Sequence, residues 1–165
     1  MTDNPIFCAI DTSDIDKALE LVRQISPHVG GIKLGLEFFT SCGLLGLEKI
    51  KELEIPIFID LKLYDIPNTV KQSLSNILQF EPAYTTLHLS GGSEMLTECV
   101  NAKNKLNSKT KLIGVTMLTS FNDVLISEIG IEKSVNANVK QLTQLAVNCG
   151  MDGIVCSPLE ISEVK

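Results

Sequence analysis

FIDLKLYDIPNTV, residues 58–70, is an apolar, strand-like stretch that carries charged residues near its end. Alternate side chains of a β-strand point to the same face, so Asp60 and Lys62 are predicted to lie side by side. Unpaired charges on a buried face cost several kcal/mol each, and these two must therefore at least pair with one another. Asp65 follows directly after the strand. The stretch predicts a buried strand that ends in an ion pair, either functional or purely structural.

Five further short apolar runs have the length and composition of strands. The six predicted strands cover residues 6–10, 31–34, 55–61, 84–89, 111–116 and 153–156. Apolar residues recur at helical spacing between them, and helices are predicted at residues 14–25, 67–80, 122–129 and 139–149. Ser13 is the predicted cap of the first helix, and Asp65 or Asn68 that of the second. This alternation predicts one α/β domain over residues 1–165, with a parallel sheet that is doubly wound or closed as a barrel.

Polar residues fall at the C-terminal ends of the predicted strands, about one βα unit apart. They are Asp11, Lys33, the Asp60 and Lys62 pair, His88 and Thr116. A (β/α)8 TIM barrel gathers its active site at that rim, whereas a doubly wound fold often has a glycine-rich first turn. The first turn here, AIDTSD at residues 9–14, has no glycine. The pattern favours a (β/α)8 barrel, of which this chain carries about six units.

The alternatives for these residues are structural. Taken singly, Asp11 and Asp65 could be helix caps, and Lys33 could extend to solvent. His88 could orient the following Gly91–Gly92 turn as well as take part in catalysis, and it is given no acid–base role.

Composition narrows the function. With 14 basic and 20 acidic residues the net charge is −6, which argues against a nucleic-acid or anionic membrane surface. The sequence has no run of about 20 apolar residues, which a membrane span requires, and no basic leader of the kind that begins a signal peptide. The five cysteines form no CxxC pair, so neither disulfides nor a zinc site is predicted, and a reducing cytoplasm is the expected location.

The charge pattern itself points to a reaction class. An ammonium flanked by carboxylates keeps its proton and can donate it to a strongly basic carbon without a metal. Two carboxylates near a substrate anion favour loss of that charge, and the lysine stabilises what forms. The pattern predicts a cofactor-independent lyase or isomerase.

DLKLYDIPNT, residues 60–69, resembles the Asp-x-Lys-x-x-Asp-Ile-Pro-x-Thr motif of the orotidine 5'-monophosphate decarboxylase family. Supporting matches follow in family order: AID at 9–11, GIKLGLEFF at 31–39, LHLSGG at 87–92, GVTMLTS at 114–120 and MDGIVCS at 151–157. The resemblance implies a barrel enzyme of pyrimidine biosynthesis that converts orotidine 5'-monophosphate to uridine 5'-monophosphate with no cofactor and no metal.

The same resemblance implies roles for individual residues. Lys62 would protonate C6 of the pyrimidine as carbon dioxide leaves, and Asp60 would face the departing carboxylate. Lys33 would bridge Asp60 and the ribose hydroxyls, with Asp11 also at the ribose.

The remaining implied residues act on a partner's site or on the pyrimidine. Asp65 would complete the charge array of a neighbouring subunit in a homodimer, with Thr69 and Ile66 reaching that same site. Thr119 and Ser120 match the segment that contacts the pyrimidine edge, with Thr119 the stronger match.

Two alternatives stay open. Metal-dependent sugar-phosphate lyases of the hexulose-phosphate synthase type share the DxKxxD motif, but they usually carry an acidic residue where this chain has Lys33, and they lack the IPNT continuation. The 165 residues also fall about two βα units short of eight, and those units supply the phosphate-binding loops of such barrels. The second alternative is a non-catalytic barrel fragment that is marginally stable, associates readily and turns over slowly.

Overall fold

Six parallel strands form the sheet of the computed structural model, which describes residues 4–164. The strands are β1 (Phe7–Ala9), β2 (Gly31–Leu34), β3 (Ile57–Leu63), β4 (Tyr84–His88), β5 (Lys111–Val115) and β6 (Gly153–Val155). They lie in chain order from β1 to β6, and every neighbouring pair is parallel. A doubly wound sheet reverses its strand order at a switch point, whereas sequential order is that of a barrel wall. The barrel alternative is therefore the correct one.

Helices connect successive strands. They are α1 (Ile15–Ile25), α2 (Leu36–Lys51), α3 (Pro67–Leu78), α4 (Gly92–Lys105), α5 (Asp123–Glu128), α6 (Val135–Asn148) and the short α7 (Ile161–Val164). Right-handed crossovers between adjacent parallel strands bring the main helices to one side of the sheet. In residues 4–164, none of these helices has the length and hydropathy needed to cross a membrane.

The predicted helix starts need correction. Asp14, not Ser13, caps α1, because its Oδ1 accepts the amides of Asp16 and Lys17 at 2.9 and 3.1 Å. The last predicted helix begins four residues early, at Val135, where the preceding serine provides the cap.

The cap predicted for α3 is also wrong. Its N-cap is Ile66, which makes no side-chain capping bond, and Pro67 occupies the first turn. Asp65 uses its Oδ1 to accept the amide of Ile66 at 2.7 Å, one residue before the helix. Neither Asp65 nor Asn68 caps the helix, because proline at the first helical position already removes one of the amides that a cap would satisfy.

The two faces of the sheet differ in chemistry. The face toward the helices is apolar and at most 6% exposed: Ile10, Ile32, Leu34, Ile57, Ile59, Leu87 and Leu112. These residues form two clusters, one with α1 and α2 and the other with α3, α4 and α6. Because alternate residues of a strand change face, the charged side chains of the predicted rim lie on the opposite, inner face.

An aromatic layer lines the inner face near the start of the strands. Phe7 and Tyr84 meet edge to face at 5.2 Å between ring centroids, and Phe58 lies 5.8 Å from Tyr84. Gly31 leaves room for this layer, because a Cβ there would stand 2.2 Å from the Phe7 ring. The inner face is thus apolar at one end and charged at the other.

Candidate active site

A row of four charges of alternating sign crosses the C-terminal ends of β1, β2 and β3. Lys33 Nζ lies 3.8 Å from Asp11 Oδ1 and 4.0 Å from Asp60 Oδ2, and Lys62 Nζ lies 2.8 Å from the same Asp60 oxygen. The Asp60 side chain is 12% exposed and that of Asp11 is 60% exposed, so the row runs from solvent into the inner face. Four of the residues predicted for the site therefore come together, and Asp65 is not among them.

The register of the sheet produces this row. The amide of Ile10 donates to the carbonyl of Lys33 at 2.9 Å, which aligns the end of β1 with the end of β2. Lys33 pairs with Phe58 of β3, so Asp60 stands one inward-facing position farther along. Parallel strands end at the same edge of a sheet, which brings one charged residue from each strand to one place.

Gly35 lies beside the row. A Cβ at this position would come 3.4 Å from Lys33 Nζ and 3.9 Å from Asp11 Oδ1. Glycine leaves that space open next to the ammonium. Sequence reasoning missed this residue, although its place two residues after Lys33 at the start of α2 was a usable signal.

Lys62 has an unusual backbone. Its φ is +50°, in the left-handed region that costs a non-glycine residue roughly 1–2 kcal/mol. The other non-glycine residues with positive φ in the described chain, Glu54, Glu81 and Asn107, follow helices, where that conformation is a common C-terminal cap. Lys62 is the one inside a strand.

The strained residue belongs to a bulge in β3. Ile59 pairs with Thr85 of β4, but Leu63 pairs with Leu87, so four steps along β3 match only two steps along β4. Two extra β3 residues are accommodated between these pairs, and bulges of this kind redirect side chains near active sites. The predicted contact between Asp60 and Lys62 is confirmed, but it is made across a bulge and not by regular alternation.

Thr86 of β4 bonds to the bulge from the neighbouring strand. Its Oγ1 accepts the amide of Lys62 at 2.9 Å and donates to Asp60 Oδ1 at 2.9 Å. Thr86 is fully buried. Sequence reasoning missed Thr86; its position on the same strand face as His88, two residues away, was the available signal.

His88 stands at the end of β4 against Tyr64, with the ring centroids 5.4 Å apart. Its Nδ1 is buried and has no hydrogen-bond partner within residues 4–164, so this nitrogen makes no bond to the Gly91–Gly92 turn. Burial lowers the pKa of His88 below its ordinary value, and the nearby Lys62 ammonium lowers it further. Both effects disfavour the protonated form of the ring.

Asp65, Ile66 and Thr69 lie outside the charge row. All three are exposed, and Ile66 retains 67% of its accessible surface. No ion pair joins Asp65 to a lysine in the part of the chain that is described, and its carboxylate instead accepts the Ile66 amide. The exposed Tyr64 adds a fourth side chain to this surface.

The segment after β5 places Thr119 and Ser120 in an exposed turn, closed by a bond from the Phe121 amide to the Leu118 carbonyl. Thr116, predicted among the rim residues, has a structural role. It is fully buried, and its Oγ1 donates to the Val155 carbonyl at 2.9 Å, which ties β5 to β6.

The carboxylates of the site do not form a metal-binding cluster. No group of three His, Cys, Asp or Glu side chains is close enough to hold a metal ion anywhere in residues 4–164. The two carboxylates of the row are separated by the Lys33 ammonium, which itself occupies the position between them. The lysine ammonium groups of the row can carry a proton and can bind an anion through direct charge contacts.

Comparison with known proteins gives one consistent result. The family model described as "Orotidine 5'-phosphate decarboxylase / HUMPS family" matches residues 4–165. Orotidine 5'-phosphate decarboxylase of Ehrlichia chaffeensis is 47% identical over 165 residues, which is 100% of this chain and 71% of that protein.

Solved structures agree. The crystal structure of orotidine 5'-phosphate decarboxylase from Lactobacillus acidophilus superposes with a TM-score of 0.86 at 32% identity, covering 98% of this chain and 75% of that one. The Methanocaldococcus jannaschii enzyme, complexed with inhibitor BMP, gives a TM-score of 0.81 at 24% identity, over 97% and 72% of the two chains. The predicted (β/α)8 barrel class is confirmed, with six of its βα units in this chain.

Proposed function

The chain belongs to the orotidine 5'-phosphate decarboxylase / HUMPS family. On that premise we propose that it catalyses the decarboxylation of orotidine 5'-monophosphate to uridine 5'-monophosphate in pyrimidine biosynthesis. The observation that carries the proposal is the row from Asp11 to Lys62, with its innermost ammonium 2.8 Å from a buried carboxylate. Relatives that are 47% and 45% identical to this chain are named for this reaction.

Lys62 is the proposed proton donor. The bond from C6 of the pyrimidine to the carboxylate breaks, carbon dioxide leaves, and the electron pair remains on C6. The Lys62 ammonium then gives a proton to that carbon, and solvent restores the proton to the amine. Asp60 holds the ammonium in place, and its negative charge opposes the substrate carboxylate, so that both effects favour the transition state over the bound substrate.

The other residues of the site are proposed to bind the nucleotide. Lys33, which lies between Asp11 and Asp60, is proposed to bind the ribose hydroxyls together with Asp11. Thr119 and Ser120 are exposed on the loop after β5, and their hydroxyls are proposed to bind the edge of the pyrimidine. Neither binding role requires a cofactor or a metal.

A second copy of the chain is the proposed partner. Asp65, Ile66 and Thr69 are exposed beside the row, which supports their contribution to the site of a neighbouring subunit in a homodimer. Mixing Lys62→Ala with Asp65→Ala tests this sharing, because a mixed dimer regains one intact site. Recovery of activity on mixing is expected, and two inactive variants that stay inactive when mixed would refute the shared site.

A cytoplasmic location is proposed from the cysteines. All five are free, and Cys99 is fully buried with a pKa raised to about 11, chiefly by burial. Such thiols are compatible with a reducing compartment.

The metal-dependent lyase is the second candidate, since the matched family model includes such enzymes in its description. The ammonium of Lys33 argues against it, because a cation between the two carboxylates would repel a metal ion. Turnover of orotidine 5'-monophosphate in the presence of a chelator is the expected result. Activity only with magnesium and a sugar phosphate would replace this proposal by the alternative.

A non-catalytic fragment is the third possibility, favoured by the sheet edges. In residues 4–164, β1 and β6 each pair with one strand, and Ile6 beside β1 is 58% exposed. Open parallel edges of this kind promote association. The prediction that the isolated chain is marginally stable, self-associating and slow stays open to test. A monomer that unfolds cooperatively and turns over rapidly would contradict it.

A further inference from the structure

Thr86 occupies a position that links the backbone and the side chain of Lys62. The amide of Lys62 donates to Thr86 Oγ1, Thr86 Oγ1 donates to Asp60 Oδ1, and Asp60 Oδ2 accepts from Lys62 Nζ, at 2.9, 2.9 and 2.8 Å. These three hydrogen bonds close a ring that starts and ends at Lys62. Thr86 is fully buried, and Asp60 and Lys62 are partly buried.

The direction of each hydrogen bond is fixed by chemistry. A backbone amide can only donate, so the Thr86 hydroxyl must accept from Lys62. The hydroxyl has one proton, and the Asp60 carboxylate is its acceptor. Asp60 therefore keeps its second oxygen for the Lys62 ammonium, and the carboxylate cannot rotate without breaking a bond to Thr86.

The same hydroxyl accounts for the strained backbone. Lys62 has a φ of +50° inside a strand, at the point where β3 loses its register with β4. Strained conformations persist only where the surroundings hold them. Within the described residues, Thr86 Oγ1 is the hydrogen-bond acceptor of the Lys62 amide.

We propose that Thr86 is a positioning residue for the proton donor, and that it sets both the left-handed backbone of Lys62 and the orientation of Asp60. This inference rests on the proposed function for its effect on catalysis, but its structural half stands without it. Thr86 is not itself a catalytic residue, because it acts through Lys62 and Asp60.

Three variants separate the hydroxyl from the shape of the side chain. Thr86→Val removes the hydroxyl, and Thr86→Ser retains it. Thr85→Val is the matched control, because Thr85 is the adjacent residue, is equally buried, and has a hydroxyl with no hydrogen-bond partner in the described chain.

Steady-state kinetics with orotidine 5'-monophosphate give the first readout. Thr86→Val is expected to lower kcat about 10- to 100-fold with KM changed less than about threefold, because a misplaced donor affects the chemical step more than ground-state binding. Thr86→Ser and Thr85→Val should stay within about threefold of the parent in kcat. A Thr86→Val enzyme with the parent's kcat, or an equal loss in Thr86→Ser, would overturn the proposal.

Hydrogen exchange of the Lys62 amide, measured by NMR, gives a readout that does not need activity. Thr86→Val should speed this exchange at least about tenfold, while Thr86→Ser and Thr85→Val leave it close to the parent rate. If the parent chain does not turn over, the proposed function has failed and the exchange rates alone decide the role of Thr86. If Thr86→Val does not fold, the parent and Thr86→Ser decide it: an unprotected Lys62 amide in either one refutes the hydrogen bond.

Discussion

Two lysine–aspartate pairs lie at opposite ends of the same sheet. At the C-terminal rim, Lys62 Nζ meets Asp60 Oδ2 at 2.8 Å, and at the N-terminal end Lys103 of α4 meets Asp152 Oδ2 at 2.6 Å. The side chains of both pairs are between 12% and 33% exposed. Charge, distance and burial therefore do not distinguish them.

Their surroundings do distinguish them. Asp152 Oδ2 also accepts the amide of Leu112 at 2.8 Å, and the Asp152 amide donates back to the Leu112 carbonyl at 3.0 Å. The pair thus joins α4 to the starts of β5 and β6. Among residues 4–164 no further ion pair involves Lys103 or Asp152, and neither residue has a left-handed backbone.

The difference shows what marks a site in this fold. An ion pair that uses its oxygens to join backbone elements holds the barrel together, whereas one that adjoins further charges and a strained residue is arranged for a ligand. Active sites of barrels lie at the C-terminal end of the strands, and residues at the other end contribute stability.

The largest expected effect is on turnover. Lys62→Ala should lower kcat for decarboxylation at least about 10³-fold, because the proton donor and a fixed charge are both lost. Lys103→Ala removes a lysine from an equally close pair and should leave kcat within about threefold. Circular dichroism of both variants checks that the fold is retained. Substantial turnover by Lys62→Ala would disprove the role of the charge row.

The parts of the fold that depend on local sequence could be predicted, and those that depend on tertiary contacts could not. Strand alternation in residues 58–63 predicted that Asp60 and Lys62 meet, although the contact is in fact made across a bulge, and the even spacing of polar residues selected a barrel over a doubly wound sheet. The bulge was not predictable, because it depends on Thr86, which lies 24 residues from Lys62 in the chain. Tertiary hydrogen bonds of this kind leave no local pattern.

The helix-cap predictions were wrong for a different reason. Ser13 and Asp14 are both good N-caps, and the sequence offers no way to choose between neighbours that differ by one residue. The ion pair between Lys103 and Asp152 was also not predicted. The two residues are 49 positions apart in the sequence, and only the fold shows that their elements are neighbours.

The second effect is on nucleotide binding. Lys33→Met removes the ammonium that separates Asp11 from Asp60, and it should lower kcat/KM about 10- to 100-fold, because the group proposed to reach the ribose is lost and Asp11 is left without its counter-charge. Lys71→Met is the control: Lys71 pairs with Glu98 between α3 and α4, away from the rim. If both variants lose kcat/KM equally, the charge row contributes no more to the reaction than an ion pair remote from the rim.

The third effect is on stability. Asp152→Ala leaves the buried Leu112 amide and the Lys103 ammonium without their acceptor, and it should lower the free energy of unfolding by about 1–3 kcal/mol. Asp11→Ala at the rim, where the side chain is 60% exposed, should change it by less than about 0.5 kcal/mol. Urea denaturation followed by circular dichroism measures both. A lower free energy of unfolding for Asp11→Ala than for Asp152→Ala would contradict the assignment of stability to the N-terminal end of the sheet.

The smallest effect concerns the titration of His88 at the rim. Burial lowers the pKa of His88, and the Lys62 ammonium contributes to the same direction. Lys62→Ala should therefore raise the pKa of His88 as observed by NMR, while Lys103→Ala at the base leaves it unchanged. An unchanged His88 titration in Lys62→Ala would mean that the ammonium does not act on the ring.

The lowered pKa of His88 also has a consequence for stability, with a definite sign. In the pH range between the lowered folded value and the ordinary unfolded value of about 6.5, the unfolded chain binds more protons, so the free energy of unfolding rises with pH there. The slope from one group is less than about 1.4 kcal/mol per pH unit. His88→Gln should remove this contribution, and His28→Gln at an exposed position is the matched control. Because Lys62 deepens the shift, Lys62→Ala should narrow the same pH range from its acidic side, which ties the smallest effect to the residue responsible for the largest.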